Sequence, residues 1–396
     1  MPQEHDPSFE ADRAIRSLKT FTFFLFATVG VWGPYLALFY REQGLNGKAI
    51  GVLGAILPLT VIFLPPVWGY ISDRARDPRR IQMVCVTVSG LALLPCVFGG
   101  SFWFFLPFIV LFSFFNSPLL PLNDGQIFAG VAAYGGDYGR IRVWGSLGFN
   151  SALVLISAFF LFTSRVHVIF LVWVVLILAT LWSLRDIPNL PSRLRRGEYL
   201  KGIKLLRSRQ FVVFLIGVLI NRMTMTSMYL FLSIYLRELD LPLYSIGLIW
   251  AIGPMAELVF FHYGNRMLRI LGVKGLLVIS LVAAVLRLGI LSLAPPTWII
   301  LVSQLLHCLT FAANHLGAVT YVDSNLPPRM RASGQTILAA IAMGMGSSIG
   351  ASLGGYFFDV VGILVSFRIF SVVAALGVLF LVLSFHPKEQ VPRRSK

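Results

Sequence analysis

Polar and ionisable side chains are scarce in the long apolar stretches of this sequence, so each of them is a candidate for binding or proton transfer. A charge at the centre of a bilayer costs on the order of 3 kcal/mol unless it is paired or faces water. Both halves of the chain contribute such groups, as the lining of a central cavity requires. They are Asn116, Asp124, Asn150, Asn221, Arg222, Glu257, Arg287, Gln304, His307, Asn314 and His315.

The charges of the candidate cavity do not balance. Three arginines, Arg142, Arg222 and Arg287, are set against two acids, Asp124 and Glu257. An arginine without a partner in a medium of low dielectric favours a carboxylate, which it binds with two parallel hydrogen bonds. The excess arginine therefore predicts binding of an anion. Salt bridges of Arg222 or Arg287 with Glu257, which lies at a similar depth, are the alternative interpretation.

The elements that must position these groups are apolar stretches of about 20 residues, the length that a helix needs to cross a bilayer. Stretches such as 211–220 and 299–306 do not alternate apolar and polar residues, which excludes membrane strands. The sequence thus predicts an all-α polytopic membrane protein with twelve transmembrane helices. We expect these at 20–40, 49–71, 81–99, 102–128, 143–163, 166–184, 210–236, 243–264, 274–294, 298–325, 332–360 and 364–385.

The net charge of +16 follows the sides of the membrane. With the N-terminus inside, 26 of the 33 lysines and arginines fall in cytoplasmic segments. The positive-inside rule then places both termini in the cytoplasm. This distribution explains the basic charge without nucleic acid as a partner. We expect the first helix to serve for insertion, without a removable signal peptide.

Short sequence motifs of the first half of the chain recur in the second half. Arg41-Glu42 recurs as Arg237-Glu238 and Ile50-Gly51 as Ile246-Gly247, both at an offset of 196 residues. Parallel duplication of six-helix halves is found in transporters that rock two bundles about a central site, and small residues such as Gly51 predict close helix contacts. The predicted organisation is a cytoplasmic tail (1–19), an N-terminal six-helix bundle (20–184), a cytoplasmic linker (185–209), a C-terminal six-helix bundle (210–385) and a cytoplasmic tail (386–396).

Other functions are disfavoured by what the sequence lacks. The three cysteines all fall in predicted spans, and no metal-binding or phosphate-binding motif occurs. His307 and His315 lack an acid or cysteine partner at a convincing depth, which argues against an intramembrane enzyme. We therefore expect no metal, no cofactor and no catalytic residue.

The loop after the second stretch carries a familiar pattern. Residues 69–80 read GYISDRARDPRR, which resembles the G-x-x-x-D-R-x-x-R-[RK] loop of the major facilitator superfamily. The resemblance implies the two-bundle fold and a gate on the cytoplasmic side. In such a gate Asp73 holds basic partners or faces the N-terminus of a neighbouring helix. The gate residues would be Gly69, Asp73, Arg74 and Arg80.

A narrower resemblance concerns Asp124 and the sequence from Tyr138 to Gly145. It looks like the helix 4–5 region of the lactose permease and of the phenylpropionate permeases. The resemblance implies that Asp124 and Arg142 lie in or near the substrate cavity. Because the acid is aspartate where the lactose permease has glutamate, it does not imply galactoside binding.

In the second half, Glu257, Arg287 and His307 are similar to the proton-coupling residues of the lactose permease. The acidic proton carrier of that permease is replaced here by Thr310, whose hydroxyl does not carry a proton. Glu257 is therefore the expected carrier.

These observations predict a secondary active transporter of the bacterial inner membrane that takes up a small organic solute with protons by alternating access. The expected solute is an aromatic or other monocarboxylate, bound by Asn221, Arg222 and Arg287 opposite Asp124 and Arg142. A sugar or nucleoside symporter and an exporter of drugs or metabolites remain alternatives. The resemblance implies a monomer whose partners are the solute, protons and lipid.

Overall fold

The structure is a computed structural model that describes residues 7–75, 77–189, 203–327 and 330–387. These residues form helices and short connections, and no strand occurs among them. The α-helices are α1 (Pro7–Glu42), α2 (Gly47–Arg74), α3 (Pro78–Leu93), α4 (Phe102–Asn116), α5 (Leu119–Tyr134), α6 (Tyr138–Phe159), α7 (Val168–Leu184), α8 (Arg209–Glu238), α9 (Leu243–Leu291), α10 (Thr297–Gln304), α11 (Asn314–Asn325), α12 (Arg331–Ala339), α13 (Ser347–Val361) and α14 (Ile363–Ser384).

Ten helical segments of the described chain are long and apolar enough to cross a membrane. One of them, α9, is 49 residues long and breaks at Gly272, whose φ of 62° and ψ of 179° form a combination that is essentially restricted to glycine. The apolar helix α7 is shorter, at 17 residues. About ten to twelve apolar helices therefore confirm the all-α polytopic fold, while the count of twelve spans stays a prediction.

Several predicted boundaries differ from those of the helices. α1 begins at Pro7, inside the predicted tail 1–19. The predicted span 102–128 is divided into α4 and α5 at Ser117 and Pro118; proline has no backbone N–H to continue the hydrogen-bond ladder of a helix. Within the predicted linker 185–209, Ile203–Arg207 form a 3-10 helix, and residues 190–202 lie outside the described part.

Two π-helical turns interrupt the helices of the second half. Cys308–Ala313 lies between α10 and α11, and Ala340–Gly346 lies between α12 and α13. π-turns are rare and occur frequently at functional sites, because the extra residue rotates the side chains that follow. Both turns contribute to the site described below.

The chain divides into two compact units, of which the first comprises Met1–Leu45, Phe63–Leu194 and Leu236–Ala251. Its core contains fully buried apolar side chains of α1, such as Phe21. Gly247 of α9 lies so close to α6 that a Cβ atom there would be 2.9 Å from the backbone oxygen of Leu153.

The second unit comprises Asn46–Ile62, Arg195–Tyr235 and Ile252–Lys396. Here Gly51 of α2 packs on α13, where an added Cβ would lie 2.6 Å from the backbone oxygen of Ala351. The Asp359 carboxylate accepts hydrogen bonds from the backbone N–H of Gly47 at 2.6 Å and of Lys48 at 2.8 Å. The close helix contact predicted at Gly51 is thus confirmed, and its repeat-related Gly247 makes a similar contact in the first unit.

Candidate functional site

The first unit brings together the acid and the arginine of the predicted cavity. Oδ1 of Asp124 on α5 lies 3.8 Å from Nε of Arg142 on α6 and accepts a hydrogen bond from the Tyr138 hydroxyl at 3.0 Å. The Arg142 guanidinium also lies 4.0 Å from the centre of the Phe26 ring. Asp137 caps α6 by accepting the N–H of Arg140. Asp124 and Arg142 are 40% and 34% exposed, so protein covers the pair only in part.

In the second unit, Arg287 of α9 is the centre of a buried polar network. Its side chain is 2% exposed. Nη1 donates to the Tyr229 hydroxyl at 3.0 Å and lies 3.3 Å from Nδ1 of His307, while Nη2 donates to Oε1 of Gln304. Nε of Arg287 is buried without a hydrogen-bond partner in the described chain. The guanidinium is therefore held by neutral groups.

Glu257, the expected proton carrier, contacts His307 on the other side of the imidazole ring. Its Oε1 pairs with Nε2 of His307, and both side chains are nearly buried, at 14% and 12% exposure. Glu257 therefore does not pair directly with Arg287, contrary to the alternative interpretation of the sequence. His307 lies between the two side chains and contacts both. The three residues of the predicted coupling group thus meet, with His307 in the middle, and the expectation that His307 lacks an acid partner is wrong.

A cavity of about 130 Å³ lies beside Arg222, also within the second unit. α8 contributes Arg222, and the chain that follows the first π-turn contributes Asn314 and His315. Nε of Arg222 donates to the Ser347 hydroxyl at 3.0 Å, and its guanidinium lies 6.0 Å from the centre of the Phe311 ring. Among the described lining residues, Arg222 is the single charged group and no acid is present.

Asn221, predicted to bind the solute, is buried in a hydrogen-bonded row beside the cavity. Its Nδ2 donates to Oγ of Ser280 at 3.2 Å, and its Oδ1 accepts from Nδ2 of Asn314 at 3.0 Å. With 1% of its surface exposed, Asn221 supports Asn314. Its direct contact with a solute stays a prediction.

Sequence reasoning did not identify Tyr229 and Gln304 as partners of Arg287. Gln304 was a candidate only because it is polar and within a span. The spacing on one helix indicates which residues share a face, but the partner across the bundle depends on helix rotation. The π-turn after His307 adds to that rotation.

The predicted cytoplasmic gate is described in part. Gly69, Asp73 and Arg74 lie at the end of α2, where Arg74 stacks 4.1 Å from the Tyr70 ring; the Asp73 side chain lies outside what the structure describes. Arg80 pairs at 3.7 Å with Asp77, an acid that sequence analysis did not single out.

Asp77 holds the start of α3. Its carboxylate accepts the N–H of Arg79 and pairs with the Arg79 guanidinium at 2.9 Å. The hydrogen bond from Arg79, which outweighs partial burial, lowers the pKa of Asp77. Nη1 of Arg79 in turn donates to the backbone oxygen of Ile187, which ties the loop to the end of α7.

The pattern of the MFS_1 like family matches residues 15–369. The chain belongs to this family of major facilitator transporters. The superfamily resemblance predicted from the loop at residues 69–80 is thereby confirmed. Because family and relatives are membrane transporters, this chain is a multi-pass membrane transporter. No cluster of three or more metal-ligating side chains occurs in the described ranges.

Relatives of this MFS_1-like chain differ in the solutes that their names state. A probable 3-phenylpropionic acid transporter of Escherichia coli (strain K12) is 29% identical over 362 residues, 87% of this chain and 91% of the relative. The maltose permease of Geobacillus stearothermophilus is 25% identical and covers 92% of both chains. The crystal structure of the nucleoside transporter NupG, at 19% identity, matches 95% of this chain and 100% of its own with a TM-score of 0.85.

Proposed function

We propose that this transporter is a proton-coupled symporter that takes up a small organic monocarboxylate by alternating access. In this proposal it is a monomer with twelve spans and both termini in the cytoplasm, and it operates in a bacterial inner membrane. Glu257 carries the proton, and Arg222 and Arg287 attract the anion. Asp124 and Arg142 form a second polar wall, and residues 69–80 form the cytoplasmic gate.

The observation that carries the proposal is the excess of arginine in the second unit. Arg222 lines a cavity without an acid, and Arg287 is buried among neutral acceptors. The single carboxylate of the network, Glu257, contacts His307. A buried guanidinium without a carboxylate favours an anionic ligand, since the ligand supplies the missing charge and acceptors.

Charge compensation also supplies the coupling. An anion bound at Arg222 cancels one positive charge of the site, and a proton on Glu257 restores it. The loaded site therefore gains an anion and a proton together. The loaded site then has the same net charge as the empty site, whereas a site with one of the two differs from both by one charge. Coupling requires that only the empty and the fully loaded sites move across the membrane.

A sugar or nucleoside symporter is the second candidate, favoured by the amide groups around Arg222. Asn221 and Asn314 are typical hydrogen-bonding partners of hydroxyl groups and bases. The names of the maltose permease and of NupG agree with such solutes. Export in place of uptake is compatible with the same site, because the imposed gradients set the direction.

The test is proton flux in liposomes that contain the purified protein and an internal pH dye. We expect aromatic monocarboxylates to acidify the lumen faster than in protein-free liposomes. With the Arg222→Gln variant, the rate of acidification should fall to that of protein-free liposomes. Arg368→Gln is the matched control, because Arg368 is exposed and donates to the backbone oxygen of Ser292. A response to maltose or nucleosides but not to acids would replace the carboxylate proposal with the second candidate.

Glu257→Gln separates proton coupling from solute movement. This variant should lose acidification by the acid and retain exchange of labelled acid between the two sides, because exchange needs no net proton movement. Asp186→Asn, which alters an exposed acid paired with Arg13, is the control. Undiminished acidification by Glu257→Gln would exclude Glu257 as the carrier.

A further inference from the structure

The cavity beside Arg222 has the volume of a small ring. Its volume of about 130 Å³ is close to that of the engineered cavity of about 150 Å³ that binds benzene. A single six-membered ring with small substituents therefore fills it.

One end of the cavity is built for an anion. Ser347 holds Nε of Arg222 at 3.0 Å, and Gly346 permits this arrangement because a Cβ there would lie 3.1 Å from Cβ of Arg222. No hydrogen bond is described for the terminal nitrogens of Arg222 within the structured ranges. They form the planar edge that binds a carboxylate with two parallel hydrogen bonds.

The orientation of the Asn314 amide follows from a row of hydrogen bonds. The Ser280 hydroxyl donates to the backbone oxygen of Leu277 at 2.7 Å, so Oγ of Ser280 accepts the N–H of Asn221. Oδ1 of Asn221 consequently accepts from Nδ2 of Asn314. Oδ1 of Asn314 is left as an acceptor on a residue that lines the cavity.

Gln335 adds a second acceptor. Its Nε2 donates to the backbone oxygen of Val319 at 3.3 Å, so its Oε1 is the remaining polar atom of the amide. In the described chain, no donor is assigned to Oε1 of Gln335 or to Oδ1 of Asn314. The cavity thus combines one cation with two amide oxygens, which require a neutral O–H or N–H donor from the ligand.

Between these polar groups the wall is apolar and aromatic. Phe311 lies on the first π-turn and Met343 on the second, and both line the cavity. An aromatic ring packs well against a phenyl ring and a thioether. The two π-turns therefore present the face that would contact the ring of the ligand.

We infer that this cavity is selective for a single-ring carboxylate that carries a neutral hydrogen-bond donor on its ring. The carboxylate binds Arg222, the ring packs against Phe311, and the donor reaches Asn314 or Gln335. This inference rests on the proposed function in that it names the class of acid. It extends that function by assigning Asn314 and Gln335 as residues that determine specificity.

The test is equilibrium binding to the purified full-length protein, without membrane gradients. The probes are 4-hydroxybenzoate, benzoate and 4-fluorobenzoate; fluorine has nearly the size of the hydroxyl but donates no hydrogen bond. We expect 4-hydroxybenzoate to bind about tenfold more tightly than the other two, the ratio that corresponds to one net hydrogen bond of about 1.4 kcal/mol. Equal affinities, or saturable binding of maltose alone, would overturn the inference.

Variants separate the two ends of the site. Gln335→Met and Asn314→Leu, singly and together, should abolish the preference for the hydroxyl, so that 4-hydroxybenzoate binds no more tightly than benzoate. Arg222→Gln should weaken all three acids by at least about tenfold, and Arg368→Gln should not. Because the three acids are first compared on the unaltered protein, a variant that fails to fold leaves the test decisive.

The outcomes also distinguish this inference from the proposed function. If the protein bound 4-hydroxybenzoate selectively but did not acidify the liposomes, the proposal of proton symport would be wrong. The inferred binding site would still hold. If aromatic acids acidified the liposomes equally well after substitution of Arg222, Asn314 and Gln335, the proposed binding site would be wrong. Proton symport of an acid would still hold.

Discussion

His307 pairs with Glu257 through Nε2 of its imidazole ring. Nδ1 of the same ring faces two donors, the Tyr229 hydroxyl and Nη1 of Arg287. Arg287 also donates to the Tyr229 hydroxyl, and that hydroxyl contacts Nδ1 as a donor. Nδ1 must then be the acceptor, and the single ring proton of a neutral imidazole lies on Nε2 and is donated to Glu257.

The first prediction concerns this tautomer. With histidine labelled by ¹⁵N, we expect His307 to show the shifts of a neutral ring protonated at Nε2 at neutral pH. His307→Gln places an amide N–H near the position of Nε2 and should retain proton-coupled transport. His307→Asn is too short to reach Glu257 and should lose coupling. The exposed His262, changed to Gln, is the control.

Two results would contradict the tautomer. One is a ring that carries protons on both nitrogens in the resting protein. The other is a His307→Asn variant that couples as well as His307→Gln, since the donor to Glu257 would then be dispensable.

The second prediction concerns Gln304, whose Oε1 accepts from Nη2 of Arg287. Gln304→Leu removes the acceptor and leaves a buried charged donor unsatisfied, at a cost of about 1–3 kcal/mol in the free energy of unfolding. We expect a lower midpoint of thermal unfolding for this variant. Gln304→Glu should keep or raise the midpoint, because it adds a carboxylate beside Arg287.

The two Gln304 variants should differ in function as well. The carboxylate of Gln304→Glu satisfies the charge that the ligand would otherwise satisfy, so this stable variant should bind acids poorly. If Gln304→Glu bound acids as the unaltered protein does, Arg287 would have no part in attracting the anion.

Much of the fold could be predicted from the sequence because the membrane imposes a length and a polarity on each helix. The close contact at Gly51 and the approach of Asp124 to Arg142 belong to this predictable part, the first through residue size and the second through a resemblance. Tyr229 and Gln304 could not be recognised as partners of Arg287. That pairing depends on how α8, α9 and α10 are rotated about their axes. Because the faces toward other helices and the faces toward lipid are both apolar, the sequence does not show which face points inward.

The third prediction concerns pH and Asp77, whose pKa is lowered by its hydrogen bond from Arg79. A carboxyl with a lowered pKa in the folded state stabilises the fold above its unfolded pKa of about 3.9, and this contribution is lost as the pH falls through the lower folded value. Asp77→Asn keeps a capping oxygen and removes the charge. It should increase hydrogen exchange in the first turn of α3 at neutral pH.

The pH dependence of this difference provides the check. After correction for intrinsic exchange rates, the unaltered protein and Asp77→Asn should converge in strong acid, where Asp77 is protonated. Asp137→Asn, which alters the cap of α6, should leave α3 unchanged. A difference that persists unchanged in strong acid would show that the charge of Asp77 is not its cause.

The last prediction compares two helical glycines. Gly51→Ala places a Cβ 2.6 Å from the backbone oxygen of Ala351, and backbone cannot move aside as a side chain can. Gly33→Ala on α1 meets nothing within 4 Å and removes a helix-weakening glycine, a change of about 0.5–1 kcal/mol in favour of folding. Gly51→Ala should therefore lower the midpoint of thermal unfolding, and Gly33→Ala should leave it unchanged or raise it.

The same pair tests whether the contact between α2 and α13 belongs to the transport cycle. If transport requires this contact to form and break, Gly51→Ala should slow uptake by more than its loss of folded protein explains, and Gly33→Ala should not. Uptake per folded molecule, measured beside the fraction that binds ligand, separates the two effects. Equal uptake per folded molecule in both variants would assign Gly51 a purely packing role, because an obstructed contact between moving helices must change the rate at which they separate and rejoin.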